Sequence, residues 1–188
     1  MKKLLLVASV TSAISLVNTA YAATNGTVNF SGKLTDQTCQ VTLNDGSSAS
    51  GTITLRTVSK LDLPNLNSTA GKTPFTLKIT GCKASATAYG ITAYFPNNEN
   101  IYGKNLVNKA TGTTAATGVS LQLLYTPNGT EKQIPLGWSS GQYEFQTIPA
   151  NTTSATMNYA VRYVNTGGTG SVTAGKVTGV AIYELAYK

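Results

Sequence analysis

The chain has 188 residues, 14 of them basic and 7 acidic, and contains no histidine. Lacking histidine, it lacks the commonest general base and the commonest metal ligand. The net charge is +7, and apart from Lys2-Lys3 and weak pairings such as Lys78 with Lys83 the basic residues are scattered singly, which argues against a nucleic-acid surface.

The first element in chain order is an export signal. Met1-Lys2-Lys3 is a positive start, 4–17 a mostly apolar run, and Ala20-Tyr21-Ala22 an A-x-A cleavage site. The run is interrupted by Ser9, Thr11, Ser12 and Ser15 and falls short of the roughly 20 residues that cross a bilayer. Residues 1–22 are therefore expected to be removed, leaving a chain that starts near Ala23. Its length suits one domain.

The first run of the remaining chain, 27–35, alternates. Val28, Phe30, Gly32 and Leu34 fall on one face and Asn29, Ser31, Lys33 and Thr35 on the other. An ordinary N-terminal edge strand would look similar, but Gly32 would leave a gap on its packed face. Cys39 and Cys82 follow. Two cysteines in an exported chain argue for one disulfide, closing a loop of about 43 residues for roughly 4 kcal/mol.

Further period-2 runs occupy 39–43, 52–58, 75–81, 91–95, 119–126, 131–136, 155–164 and 176–187, with loops at 59–73, 96–100, 108–118 and 165–171. Pro64 among Leu61, Leu63 and Leu66 makes 59–73 a loop or short helical turn. Nine short strands with Thr- and Gly-rich connections predict an all-β sandwich or barrel.

Catalytic signatures are weak. The seven carboxylates (Asp36, Asp45, Asp62, Glu99, Glu131, Glu144 and Glu184) are dispersed, and a disulfide would consume both thiols. The chain is read as a non-enzyme with no metal or cofactor. In "LGWSSGQYEF", Trp138 with Tyr143 and Phe145 could stack on a sugar, although one Trp in a sandwich more often packs near the core.

The closing run has two apolar rows. Ala181, Tyr183, Leu185 and Tyr187 form one, and Val180, Ile182, Glu184 and Ala186 the other, as though the strand bordered the core and also received something laid against it. Gly175 stands fourteenth from the end of the sequence.

With these residues in view, the chain resembles the type 1 and P pilus subunits of Gram-negative bacteria, which are assembled by the chaperone–usher route. The resemblance rests on "GTVNFSGKL", "FTLKITGC", "ATGVSLQLLY", "YAVRYVNTGGTGSVTAGKV" and the closing alternation with its Gly175 and penultimate Tyr187. It implies an incomplete immunoglobulin-like sandwich over 37–188 that lacks its C-terminal seventh strand, preceded by a donor-strand extension over 23–36. Val28, Phe30, Gly32 and Leu34 would face a neighbour's groove. Gly175, Ala181, Tyr183, Leu185 and Tyr187 would follow the family's groove-edge and chaperone-recognition pattern. The Cys39–Cys82 pair would match the family's disulfide. Implied partners are like subunits joined head to tail, a periplasmic chaperone, an outer-membrane usher and, through a tip subunit, a host receptor. The implied location is a surface fimbrium reached through the periplasm. Two other readings stay open: a glycan-binding adhesin, and a self-contained secreted immunoglobulin-like domain whose own first strand fills its groove.

Overall fold

The structure, a computed structural model, describes residue 29 and residues 34–37 and 39–188. Thr35–Lys188 is one compact unit. Its strands are β1 (Gln40–Leu43), β2 (Thr69–Thr80), β3 (Tyr89–Tyr94), β4 (Ile101–Tyr102), β5 (Asn105–Val107), β6 (Val119–Tyr125), β7 (Lys132–Gln133), β8 (Gln146–Ile148), β9 (Ala155–Asn165) and β10 (Glu184–Tyr187). The only helical elements among the described residues are three 3-10 turns.

One sheet runs β1-β2-β9-β6-β5-β4, with β7 also on β6; the other runs β10-β3-β8. Every strand pair is antiparallel. The result is the expected all-β sandwich. Its core draws on both sheets, with Leu77, Ile79 and Met157 from one and Ile91 and Ile148 from the other, all fully buried. These are the inward positions that period 2 selects.

Several expected boundaries need correction. The run 52–58 is in no ladder among the described residues, although its burial still alternates, with Ile53 and Leu55 turned inward and Thr52 and Thr54 outward. The run 176–187 enters a ladder only at Glu184, and 131–136 shrinks to Lys132–Gln133. Conversely, Thr69–Thr73 belongs to β2 rather than to a loop. The ladder reaches this far through a register shift between Ala70 and Thr73 that takes in Gly71 at φ +67°. The expected helical turn is present as Lys60–Asp62, held by a capping box of Ser59 and Asp62. Strands β4, β5 and β8 are too short and polar to show a period.

The disulfide is formed. Cys39 precedes β1 and Cys82 follows β2, with Cα atoms 4.1 Å apart, so it fastens one end of the β1–β2 pair.

Candidate binding cleft

Two stretches without ladder partners face each other across an apolar cleft of about 910 Å³. One lip is 49–55 and the other 177–183, which runs on into β10. Between them the floor is laid by Leu106, Leu121, Leu123, Val161, Phe75 and Phe95.

The first lip begins with a reversal after β1. The Leu43 N–H donates to Ser48 O at 2.8 Å. Asn44, at φ +53°, exchanges bonds with Thr76: its N–H donates to Thr76 O, and its Oδ1 accepts from the Thr76 N–H. The chain then leaves the β1 line and carries Ile53 and Leu55 over the core.

The second lip is anchored at its base. Gly175 passes so close to the backbone of 114–116 that a Cβ there would lie 2.5 Å from Ala116 N. Lys176 bonds Thr114 O and Ala116 N–H, and the Asn108 amide group holds Ala116, Lys176 and Thr178 together. Beyond Thr178 this support ends. No backbone hydrogen bond is made by 179–183 or by 51–58 among the described residues, until β10 joins β3 at Glu184↔Tyr94. Each of these residues carries one backbone donor and one acceptor, so both lips have hydrogen-bonding groups to offer an added chain.

Side chains on the second lip divide as the alternation requires. Val177, Tyr183, Leu185 and Tyr187 pack on the core, while Val180 and Ile182 point out, 49% and 53% exposed. Ala181 lines the cleft yet stays exposed. Gly179 lies over Leu121, with room for no side chain unless Leu121 moves. The inward row is therefore smallest at 179 and 181, in the middle of the cleft. Burial raises the phenol pKa of both Tyr183 and Tyr187. The Tyr183 hydroxyl donates to Ala49 O on the opposite lip at 2.8 Å. Among the described residues Glu184 is the one charged residue in the lining, so the cleft offers shape, apolar area and backbone groups rather than charge.

Of the residues singled out from sequence, Tyr183 and Leu185 come together along this cleft, with Ala181 at its rim, while Tyr187 packs on the core outside the cleft lining. Gly175 instead serves the anchor below it. Val28, Phe30 and Gly32 lie outside the described residues. Leu34 is described and almost wholly exposed. Asp36 pairs with Lys83, whose hydrogen bond and charge hold the carboxyl below its usual range. The sequence reading missed 49–51 and Gly179. A glycine in the apolar row of the closing run was the available signal for the latter.

The aromatic group at 138–145 does not form a stacking face. Tyr143 is buried, and its hydroxyl both accepts from Phe95 N–H and donates to Phe95 O. Trp138 carries Lys104 Nζ over its ring at 4.5 Å, and Lys188 Nζ lies over Phe145 at 5.7 Å.

Comparison with known proteins gives a consistent result. Residues 28–188 match the sequence model of the family described as "Fimbrial protein". The F17 fimbrial protein of Escherichia coli is 35% identical over 192 aligned positions that cover the whole of both chains. The major fimbrial subunit SMF-1 of Stenotrophomonas maltophilia is 32% identical, covering 88% of this chain and 94% of that one. Among solved structures, the P pilus rod subunit PapA superposes with a TM-score of 0.51 at 14% identity, covering 79% of this chain and 99% of that one. A subunit from the structure of a chaperone–usher pilus that addresses rod uncoiling gives a TM-score of 0.56 at 18% identity, covering 88% and 97%. At those identities the structural likeness speaks for the fold.

Proposed function

The chain belongs to the fimbrial protein family as a structural subunit of a bacterial surface pilus, and we propose that it polymerises by laying 23–36 of one copy into the cleft of the next. The observation that carries this is the pair of lips without ladder partners. An added strand would bond to both and cover the apolar floor, which is recognition by strand addition. The dimensions agree: 51–58 extends about 23 Å and the row from Val28 to Leu34 about 20 Å, at roughly 3.3 Å per residue. Burying Val28, Phe30 and Leu34 would contribute roughly 1.5–3 kcal/mol each, less the cost of ordering the segment. Gly32 would suit a point of close backbone approach.

Donor and cleft lie on different parts of one chain, so the contact is head-to-tail and grows a filament instead of closing. Before assembly the open lips are an exposed sheet edge and an aggregation hazard. The proposal therefore includes residues 1–22 as an export signal, passage through the periplasm with a chaperone strand on the lips, and delivery by an outer-membrane usher. Contact with a host receptor falls to a tip subunit of the same pilus.

The test removes 23–34 and follows thermal unfolding of the disulfide-bonded remainder, with and without a synthetic peptide of 23–36. A large, slowly established rise in melting temperature supports completion in trans. A remainder that is stable alone and indifferent to the peptide would mean a complete fold, and strand addition would be abandoned.

A further inference from the structure

Along most of the cleft nothing polar joins the two lips; at one end something does. The Tyr183 hydroxyl to Ala49 O, at 2.8 Å between residues 134 apart in sequence, is the only hydrogen bond from one lip to the other among the described residues. It lies where the second lip passes into β10, and β10 is the edge strand of its sheet. A strand added to that edge would take the place between β10 and the first lip. There, Ala49 O is already drawn towards the second lip and already accepting a hydrogen bond.

We propose that the Tyr183 hydroxyl is a latch on the strand-accepting cleft, pinning the lips together at the β10 end until an incoming strand displaces it from Ala49. The inference rests on the strand-addition reading and concerns its rate. Tyr183 is suited to this role because its two ends are held differently. The ring packs on the core beside Phe95, with centroids 6.0 Å apart. The hydroxyl has one recorded partner, so release needs only that bond to open while the ring keeps its place. An incoming strand pairs first where the lips carry no cross-link, over 51–58 and 179–182, and meets the latch last. Uptake therefore has a fast phase and a slower completing phase. A net hydrogen bond of ordinary strength sets the difference, so losing it speeds the slow phase by about 2- to 10-fold.

The experiment mixes the chain beginning at Ala23, kept dilute, with a fluorescent peptide of 23–36 and follows anisotropy by stopped flow. Tyr183→Phe is compared with wild type and with Tyr102→Phe, an exposed tyrosine away from the cleft. A second variant, Tyr183→Leu, also removes the hydroxyl but fills the pocket differently, so the outcome does not hang on one substitution folding well. The expected result is a faster slow phase in both Tyr183 variants, wild-type kinetics in Tyr102→Phe, and an unchanged melting temperature for the finished Tyr183→Phe complex. That last readout separates a latch from a packing role, which would weaken the complex as well. Slow phases within experimental error of wild type in both Tyr183 variants would overturn the latch and leave strand addition standing. No uptake by any form would overturn strand addition, and the latch with it.

Discussion

Tyr125 and Tyr159 lie opposite each other on β6 and β9 with their rings stacked, centroids 4.6 Å apart and planes 14° from parallel. Phe75, opposite Tyr159 on β2, stacks on its other side at 5.4 Å. Three cross-strand neighbours thus form a continuous aromatic row, and such pairs contribute beyond their buried area. Tyr159 also bridges the sandwich, since its hydroxyl accepts the Ala93 N–H of the opposite sheet at 3.3 Å and donates to Met157 Sδ at 3.6 Å. Tyr159→Phe keeps the row and strands a buried N–H, at an expected cost of about 1–3 kcal/mol. Tyr159→Ala also breaks the row, at about 3–5 kcal/mol. Urea unfolding of the two variants against wild type measures both.

The same buried phenols set an alkaline limit. Burial pushes Tyr143 up to about 12, against the lowering effect of its bond to the Phe95 backbone, and pushes Tyr125 and Tyr159 higher still. Folded values above the unfolded value of 10.0 mean that the folded state favours the neutral phenol. Their stabilisation is fully present below pH 10 and is lost as pH rises through 12. Melting temperature is expected to fall steeply over that window, with the ring signals of Tyr125, Tyr143 and Tyr159, resolved individually by NMR, changing together with unfolding. Titration of these three phenols well before unfolding would contradict their burial.

Two glycines in the second lip separate stability from binding. At Gly175 a methyl group would meet backbone on three sides, Ala116 N at 2.5 Å and both Ala115 C and Thr114 O at 2.6 Å. Backbone cannot step aside, so Gly175→Ala is expected to cost about 1–3 kcal/mol or more and to loosen the lip's anchor. At Gly179 the nearest atom is Leu121 Cδ1 at 2.8 Å, the end of a movable side chain. Gly179→Leu should leave the unfolding midpoint close to wild type while filling the cleft, and should weaken uptake of a 23–36 peptide by about tenfold or more, one lost apolar contact being worth that much. Equal effects of both substitutions on both measurements would remove the distinction.

Breaking the Cys39–Cys82 bond frees a loop that spans the whole first lip. Replacing both cysteines by serine is expected to cost about 2–5 kcal/mol. It should also slow capture of the 23–36 peptide, because the bond fixes the start of β1 and the lip continues from the other end of that four-residue strand. Denaturant unfolding and peptide capture, measured side by side on the double variant, check the two effects.

Much of the molecule could be read without coordinates because strand alternation is local. The alternating runs 75–81, 119–126 and 155–164 fall largely within β2, β6 and β9, and the two rows read in the closing run meet different surroundings, with Tyr183, Leu185 and Tyr187 half-buried and Val180 and Ile182 exposed. Errors arose wherever a partner decides the outcome. The run 52–58 has strand composition and strand-like burial, yet strand status requires a bonded neighbour, and no described segment supplies one. The 69–73 segment carries a glycine and sits before Pro74, both adverse to strands, but pairing with β9 across a shifted register overrides that preference.

The amino-acid sequence by itself determined the inward and outward rows, the export-signal pattern and a cysteine pair suited to a disulfide, since each depends only on residue type and spacing along one stretch of chain. The tertiary structure decided the cleft. Its lips come from the start and the end of the domain, and its floor from strands in between. Gly175 and Gly179 owe their roles to atoms more than fifty residues away. Tyr183 reaches Ala49 only because two sheets bring those segments together. Contacts of that range are fixed by packing and by ladder hydrogen bonds between distant strands, which no local pattern of residues encodes.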